Sequence, residues 1–325
     1  MLNSLLLHPL RCASLTLSVA VAAGAVYAFA FRPHPVFAPT EVRADRLHIN
    51  ALALAGRRVV AVGEAGHILY SDDGGVRWRN AKVTGQPGST LTQVSFSDAK
   101  HGLAVGHDGV VLRTGDGGEQ WQTARLDAAS TDPLLDVALR GDGSAMAAGS
   151  FGRFLVSTDG GARWQPAATP PAIADGHANA LVRGAGGAML LVGEAGMLHR
   201  SNDGGATWEA LALPYKGSLF GGLALKDGAW LVFGMRGHVF RSTDFGSTWA
   251  AVDTGLPTSY FGGAQLKDGR VVLVGQGGAV VLSGDGGKTF RIHRVGGRAS
   301  LAAVAEAQAG HVLLAGEAGI AREAL

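Results

Sequence analysis

The sequence predicts an all-β chain: a seven-bladed β-propeller of four-stranded blades, preceded by one N-terminal hydrophobic helix. Three observations carry this. A Ser/Thr-x-Asp-x-Gly-x-x-Trp/Phe motif occurs six times, with central aspartates Asp73, Asp116, Asp159, Asp203, Asp244 and Asp285, 41 to 44 residues apart. A Gly-x-x-Gly turn precedes each copy by ten residues and occurs a seventh time at Gly316. Glycine is extreme at 50 of 325 residues, with no collagen period, which points to many tight turns between short strands. A repeat of about 42 residues lies in the range of propeller blades.

The N-terminal element comes first. Cys12 to Phe31 is an uncharged, mostly apolar run flanked by Arg11 and Arg32. Its length suits a bilayer-spanning helix, and its small residues suit a cleaved signal peptide. Residues 1–32 are therefore read as an anchor or signal, with the anchor favoured. Arg11 before Cys12 argues against a lipoprotein signal. Residues 33–39, with Pro33, Pro35 and Pro39, read as a linker, and residues 40–325 as the propeller. The charge placement puts the propeller outside the cytoplasm.

Each repeat reads as strands A, B, C and D. The Gly-x-x-Gly turn joins B to C, and the Asp motif joins C to D. The Asp carboxylate accepts N–H bonds of its own turn, the glycines tolerate positive φ, and the Trp covers apolar surface beside the turn. Phe245 replaces one glycine. The seventh repeat has A, B and C but ends at Leu325 without an Asp motif. An open blade edge exposes unpaired backbone groups. The expectation is that Thr40 to Arg46 supplies the missing strand and closes the ring.

Composition excludes several classes. The net charge of +2 with 17% charged residues is too even for a nucleic-acid binder. The single cysteine, Cys12, lies in the N-terminal run, so no disulfide or thiolate metal site is possible beyond it. The Asp motifs lack the ligand series of a calcium loop, and His67 and His238 sit in distant blades. No metal and no cofactor is expected.

The motif is the Asp box, known from sialidases and other BNR-repeat propellers. The pattern from Val62 through Tyr70 to Trp78 resembles the photosystem II assembly/stability factor propellers, over roughly residues 41–325. The resemblance implies a non-catalytic assembly factor that binds an integral membrane protein or complex. Similar bacterial proteins occur without photosynthesis, often in company with exporters of the resistance-nodulation-division class. By resemblance the chain is periplasmic, held near the membrane by residues 12–31. The alternative is a glycan-active propeller, sialidase-like or lectin-like. A sialidase needs an arginine cluster and a Tyr–Glu pair, and the folded part has only Tyr70, Tyr215 and Tyr260. Glu64, Glu194 and Glu317 sit in Gly-x-x-Gly turns and could ring the channel mouth, but are expected to be solvated turn residues.

Partner contacts are expected where the B–C turns and D–A loops emerge around the channel. The turns place Glu64, His107, Asp108, Phe151, Glu194, Met235, Arg236 and Gln276 there, and the D–A loops add Tyr215, Lys216 and Tyr260. Aromatics, Met and Arg are enriched at interface hot spots. Phe220 and Phe261 belong to the same loops or to the cores of the next A strands.

Overall fold

The computed structural model describes residues 7–29, 42–85, 88–126, 130–167, 173, 175–308 and 310–325. The chain divides into two units, Met1–Glu41 and Val42–Leu325. The first carries one α-helix, Leu7–Phe29. Among the described residues no helix is long and apolar enough to cross a membrane. The expected linker, residues 33–39, lies outside the described residues.

The second unit is a ring of seven sheets, antiparallel through their A to D strands. The innermost A strands are Ile49–Ala55, Leu91–Phe96, Leu134–Leu139, Ala178–Arg183, Leu219–Ala224, Tyr260–Gln265 and Leu301–Gln308. Each touches the next, and the last touches the first, so the ring is closed. Among the described residues, one apolar cluster fills each of the seven blade-to-blade interfaces. The Asp-box tryptophan of one blade packs on the blade before it, as Trp121 does against Ala51, Val60 and Tyr70. Trp121 and Trp164 are 2% and 1% exposed. Truncating such a side chain to alanine costs about 3–5 kcal/mol.

Blades 2 and 3 depart from the four-stranded expectation. After the D strand of blade 1, Lys82–Thr84 steps across and pairs parallel with the D strand of blade 2; Arg125–Leu126 does the same for blade 3. Each of these sheets therefore has five strands.

Blade 7 corrects the predicted closure. Its sheet has three strands, Leu301–Gln308, His311–Gly316 and Gly319–Ala324. Of residues 40–46, those described (42–46) form no strand. Ala44–Arg46 is a single 3₁₀ turn. It lies against Gly319, where a Cβ would stand 2.5 Å from the Ala44 carbonyl oxygen. In other blades the D–A loop holds this place, as Tyr215 does over Gly196 and Leu256 over Gly237. The N-terminal segment thus replaces a crossing loop, not an edge strand. The ring closes through side chains: Ala44, Ile49, Ala61 and Leu69 pack with Ala315, flanked by Trp78 and Ile320. Gly75 in the first Asp box leans on Leu313 of blade 7.

Candidate functional site

The Gly-x-x-Gly turns build one face of the ring, and their glycines do two different jobs. The first glycine is extended, but its Cβ position is occupied. At Gly63, Gly106, Gly149, Gly193, Gly234, Gly275 and Gly316 an added Cβ would stand 1.9 to 2.3 Å from the carbonyl oxygen just before the same blade's A strand. The next residue donates its N–H to that carbonyl, as Met235 does to Ser218 at 3.0 Å and Gln276 to Ser259 at 2.9 Å. The turn is thereby clamped onto the inner strand. In the first six turns the last glycine has positive φ and closes a tight turn of the primed type, with the residue before it left-handed as well; in the seventh only Gly319 is left-handed.

That second left-handed position is the tip of the first six turns; it holds Ala65, Asp108, Phe151, Ala195 and Arg236, with φ between 51° and 56°, and Gly277 in blade 6. Left-handed backbone is costly for bulky side chains, and such strain gathers at functional sites. Phe151 is 61% exposed, and its ring meets His177 of the next blade edge-on, centroids 4.9 Å apart. Arg236 is exposed, and its N–H donates to Ser259 Oγ. Asp108 accepts from Ser89 Oγ at 2.7 Å. His107, Lys216 and Gln276 are exposed; Met235 is half-buried. Tyr215 is half-buried, meets the His238 ring at a tilt with centroids 4.2 Å apart, and donates its hydroxyl to the Met235 carbonyl. Burial raises the pKa of its phenol.

The three glutamates are each engaged by their own blade. Glu64 pairs with His48 Nδ1 at 2.9 Å, Glu194 accepts the His177 N–H at 3.0 Å, and Glu317 accepts the Ser300 N–H at 2.9 Å. All three partners directly precede an A strand. The carboxylates brace that strand's entry.

Tyr260 is the clear correction. It is fully buried, and its hydroxyl donates to Thr254 at 2.7 Å. It is the first residue of its A strand, a place held in other blades by Ile49, Leu91, Leu134, Ala178, Leu219 and Leu301. Phe261, next along, is half-buried and lines the channel with Phe220; the two rings lie 5.3 Å apart.

Every A strand shifts register at its second residue, a bulge that separates the side chain there from the regular alternation. In three blades this residue is polar and bonds to the next blade. Asn50 reaches the Leu91 carbonyl at 2.7 Å, Thr92 that of Leu134 at 2.7 Å, and Asn179 that of Leu219 at 2.8 Å. Leu135, Phe220, Phe261 and Ala302 hold the other four.

Sequence reading missed Asp136, one residue further along in blade 3. It is 7% exposed and lines the channel. Its carboxylate accepts N–H bonds from Val137 and from Leu181 of blade 4, both at 2.7 Å. Burial drives its pKa up to about 6, against the pull of those N–H groups and of Arg183. Aligning the seven A strands displays the signal, since the other six carry Ala51, Gln93, Ala180, Gly221, Gly262 and Ala303 there.

The Asp boxes, on the opposite face, are each closed by their own hydrogen bonds. In the first, Ser71 Oγ donates to Asp73 at 2.9 Å, and Asp73 accepts the Arg77 N–H at 2.9 Å. Gly75 N–H donates to Ser71 Oγ, and Trp78 Nε1 to the Gly75 carbonyl. The pattern recurs at Asp116, Asp159, Asp203, Asp244 and Asp285. Hydrogen bonds from Thr248 hold the Asp244 carboxyl down at about 2. In that same box Phe245 takes a left-handed φ of 53°, and the buried Trp249 Nε1 finds no partner. Among the described residues no group of three or more His, Cys, Asp or Glu is placed to hold a metal ion.

Comparison with known proteins places this geometry. The family model for the photosynthesis system II assembly factor YCF48 matches residues 40–115 and 82–166. No curated protein matches the chain. The solved structure "YCF48 bound to D1 peptide" has 21% identity and a TM-score of 0.71, covering 90% of this chain and 99% of its own. YCF48 from Cyanidioschyzon merolae has 20% identity and a TM-score of 0.67, with 88% and 97% covered. A streptogramin B lyase has 14% identity and a TM-score of 0.71, with 87% and 95% covered, so the fold by itself does not separate enzyme from non-enzyme. Asp-box repeats, seven clamped turns and the family-model match over residues 40–166 together make this chain a seven-bladed Asp-box β-propeller whose first repeats are similar to the YCF48 photosystem II assembly factor family.

Proposed function

We propose that the chain is an extracytoplasmic scaffold that holds a segment of an integral membrane protein on its turn face. The observation that carries this reading is Phe151. A phenylalanine held left-handed at a turn tip and 61% exposed is costly to keep for stability alone. It stands with His177, Tyr215, Lys216 and Arg236 in the sector of blades 3 to 5. A relative's solved structure holds a peptide of D1, which supports a peptide-binding propeller. In this reading residues 12–31 keep the propeller near the membrane from the periplasmic side. The partner is a membrane complex of the photosystem kind or an exporter of the resistance-nodulation-division class. The glycan-hydrolase alternative loses its acid pair, because Glu64, Glu194 and Glu317 are turned onto their own blades.

The test is crosslinking followed by affinity capture from membranes. Wild type retains a specific membrane protein, and Phe151→Ser with Arg236→Ala reduces its recovery at least tenfold while the melting temperature stays within about 2 °C. Equal recovery by the double variant refutes the assigned face. Hydrolysis of fluorogenic glycosides, lost in Glu64→Gln, refutes the non-enzymatic reading.

A further inference from the structure

The central channel has two unlike walls. Blades 5 and 6 repeat Phe-Gly-Gly at Phe220-Gly221-Gly222 and Phe261-Gly262-Gly263, a triplet absent from the other A strands. The glycines are required by close approach: a Cβ on Gly221 would meet the Phe233 ring at 2.7 Å, and one on Gly262 the Ala302 carbonyl at 2.4 Å. Phe233 fills the space left by Gly221 and Gly263, so three phenylalanines line this side. The facing wall is polar, with Asn50, Gln93, Ser95 and Asp136. The cavity between them holds about 260 Å³.

Asp136 and Arg183 carry the only charges among the channel-lining residues described. Arg183, at the far end of its strand, donates to the Leu139 carbonyl and makes no ion pair with Asp136. Asp136 therefore has two backbone N–H partners and no cationic side chain within ion-pairing distance. A buried carboxylate so placed has unused lone pairs, and its charge is offset only at a distance, by Arg183. An aromatic wall attracts cations as well and covers an apolar stem.

We propose that the channel is a binding site for a primary ammonium on an apolar stem, its charge on Asp136 and its methylenes against Phe220 and Phe261. A lysine side chain of a bound partner and a free alkylamine share this chemistry. Two backbone N–H bonds fix the carboxylate before the ligand arrives, so little side-chain order is lost on binding. Proton and ligand compete for the same oxygens, and burial already holds the Asp136 pKa near 6.

The test uses butylammonium, butan-1-ol, potassium ion and two capped pentapeptides, Gly-Gly-Lys-Gly-Gly and its norleucine analogue. Binding to the full chain is followed by carboxyl-carbon NMR at pH 7.5. Butylammonium is expected to bind at least tenfold tighter than butan-1-ol, and to lower the Asp136 pKa by about one unit or more. Asp136→Asn abolishes that preference. Because this variant leaves a mispaired amide and risks misfolding, Phe220→Ala with Phe261→Ala is the second probe, expected to weaken butylammonium at least fivefold with Asp136 intact. Tighter binding of the lysine than the norleucine peptide assigns the site to a partner's side chain, and butylammonium binding without it to a free amine. Equal affinity for butylammonium and butan-1-ol, displacement by equimolar potassium, or unchanged binding in the double phenylalanine variant overturns the proposal.

Discussion

Replacing Gly275 by alanine isolates the clamp between a turn and its inner strand. The residue is extended, so no left-handed penalty enters. The added Cβ lands 1.9 Å from the Ser259 carbonyl oxygen and 2.9 Å from Tyr260 Cα. Both are backbone atoms, held by the Gln276 N–H bond to the same carbonyl at 2.9 Å. Relief requires moving the turn off the strand. Overpacking of this kind costs about 1–3 kcal/mol, and losing the hydrogen bond adds about 0.5–1.5 kcal/mol. The sum, about 2–4 kcal/mol, lowers Tm by roughly 3–7 °C at this chain length. Gly284, in the same blade, is the control. It has no positive φ and nothing within 4 Å of an added Cβ. Alanine there is neutral or stabilises by about 0.4–1 kcal/mol through the unfolded chain. Paired urea titrations of the two variants read the difference. A Gly275→Ala variant within about 0.5 kcal/mol of wild type, or equal losses in both, refutes the clamp.

Three further outcomes follow from the same geometry. Tyr260→Phe removes the buried bond to Thr254 and costs about 1 kcal/mol in urea unfolding, without affecting capture of the partner. Trp121→Phe loses the 3.0 Å bond from Nε1 to the Gly118 carbonyl, about 1 kcal/mol beyond its packing loss; Trp249→Phe, whose Nε1 has no partner, lacks that increment, and calorimetry of the pair shows it. Stability also bends twice with pH. Asp136 titrates near 6 when folded against 3.8 unfolded, so the folded state holds its proton more tightly and stability declines as pH rises from about 4 through 6, by about 2–3 kcal/mol. The Asp-box carboxyls are depressed, so their contribution, present above 3.8, is lost as pH falls below it. The free energy of unfolding, measured across pH 3 to 8, is expected to be greatest between about 4 and 6, and Asp136→Asn flattens the upper limb.

The repeat made the ring legible. Trp78, Trp121, Trp164, Trp208 and Trp249 recur at one position because each seals an interface between blades, and that role admits few other side chains. The first glycines of the turns were equally visible, although their reason is close approach and not φ. Blade 7 was misread past Gly319. An open edge argued for a strand, whereas Ala44–Arg46 satisfies only the crossing-loop position. The five-stranded sheets were invisible because Lys82–Thr84 and Arg125–Leu126 are short, and their pairing depends on a neighbouring blade. At the site, Phe151 and Arg236 could be placed from turn spacing alone. Tyr260 could not be separated from Phe261, because a one-residue step at the bulge decides which ring is core and which lines the channel.

The central claim is that the turn face meets the membrane-protein partner. The most direct measurement is photocrosslinking in intact membranes, with a photoreactive phenylalanine at Phe151 and, separately, at Lys288 on the Asp-box face. The account predicts a discrete adduct with one membrane protein from position 151 and none from position 288. Adducts from position 288 alone, or equally from both, contradict it.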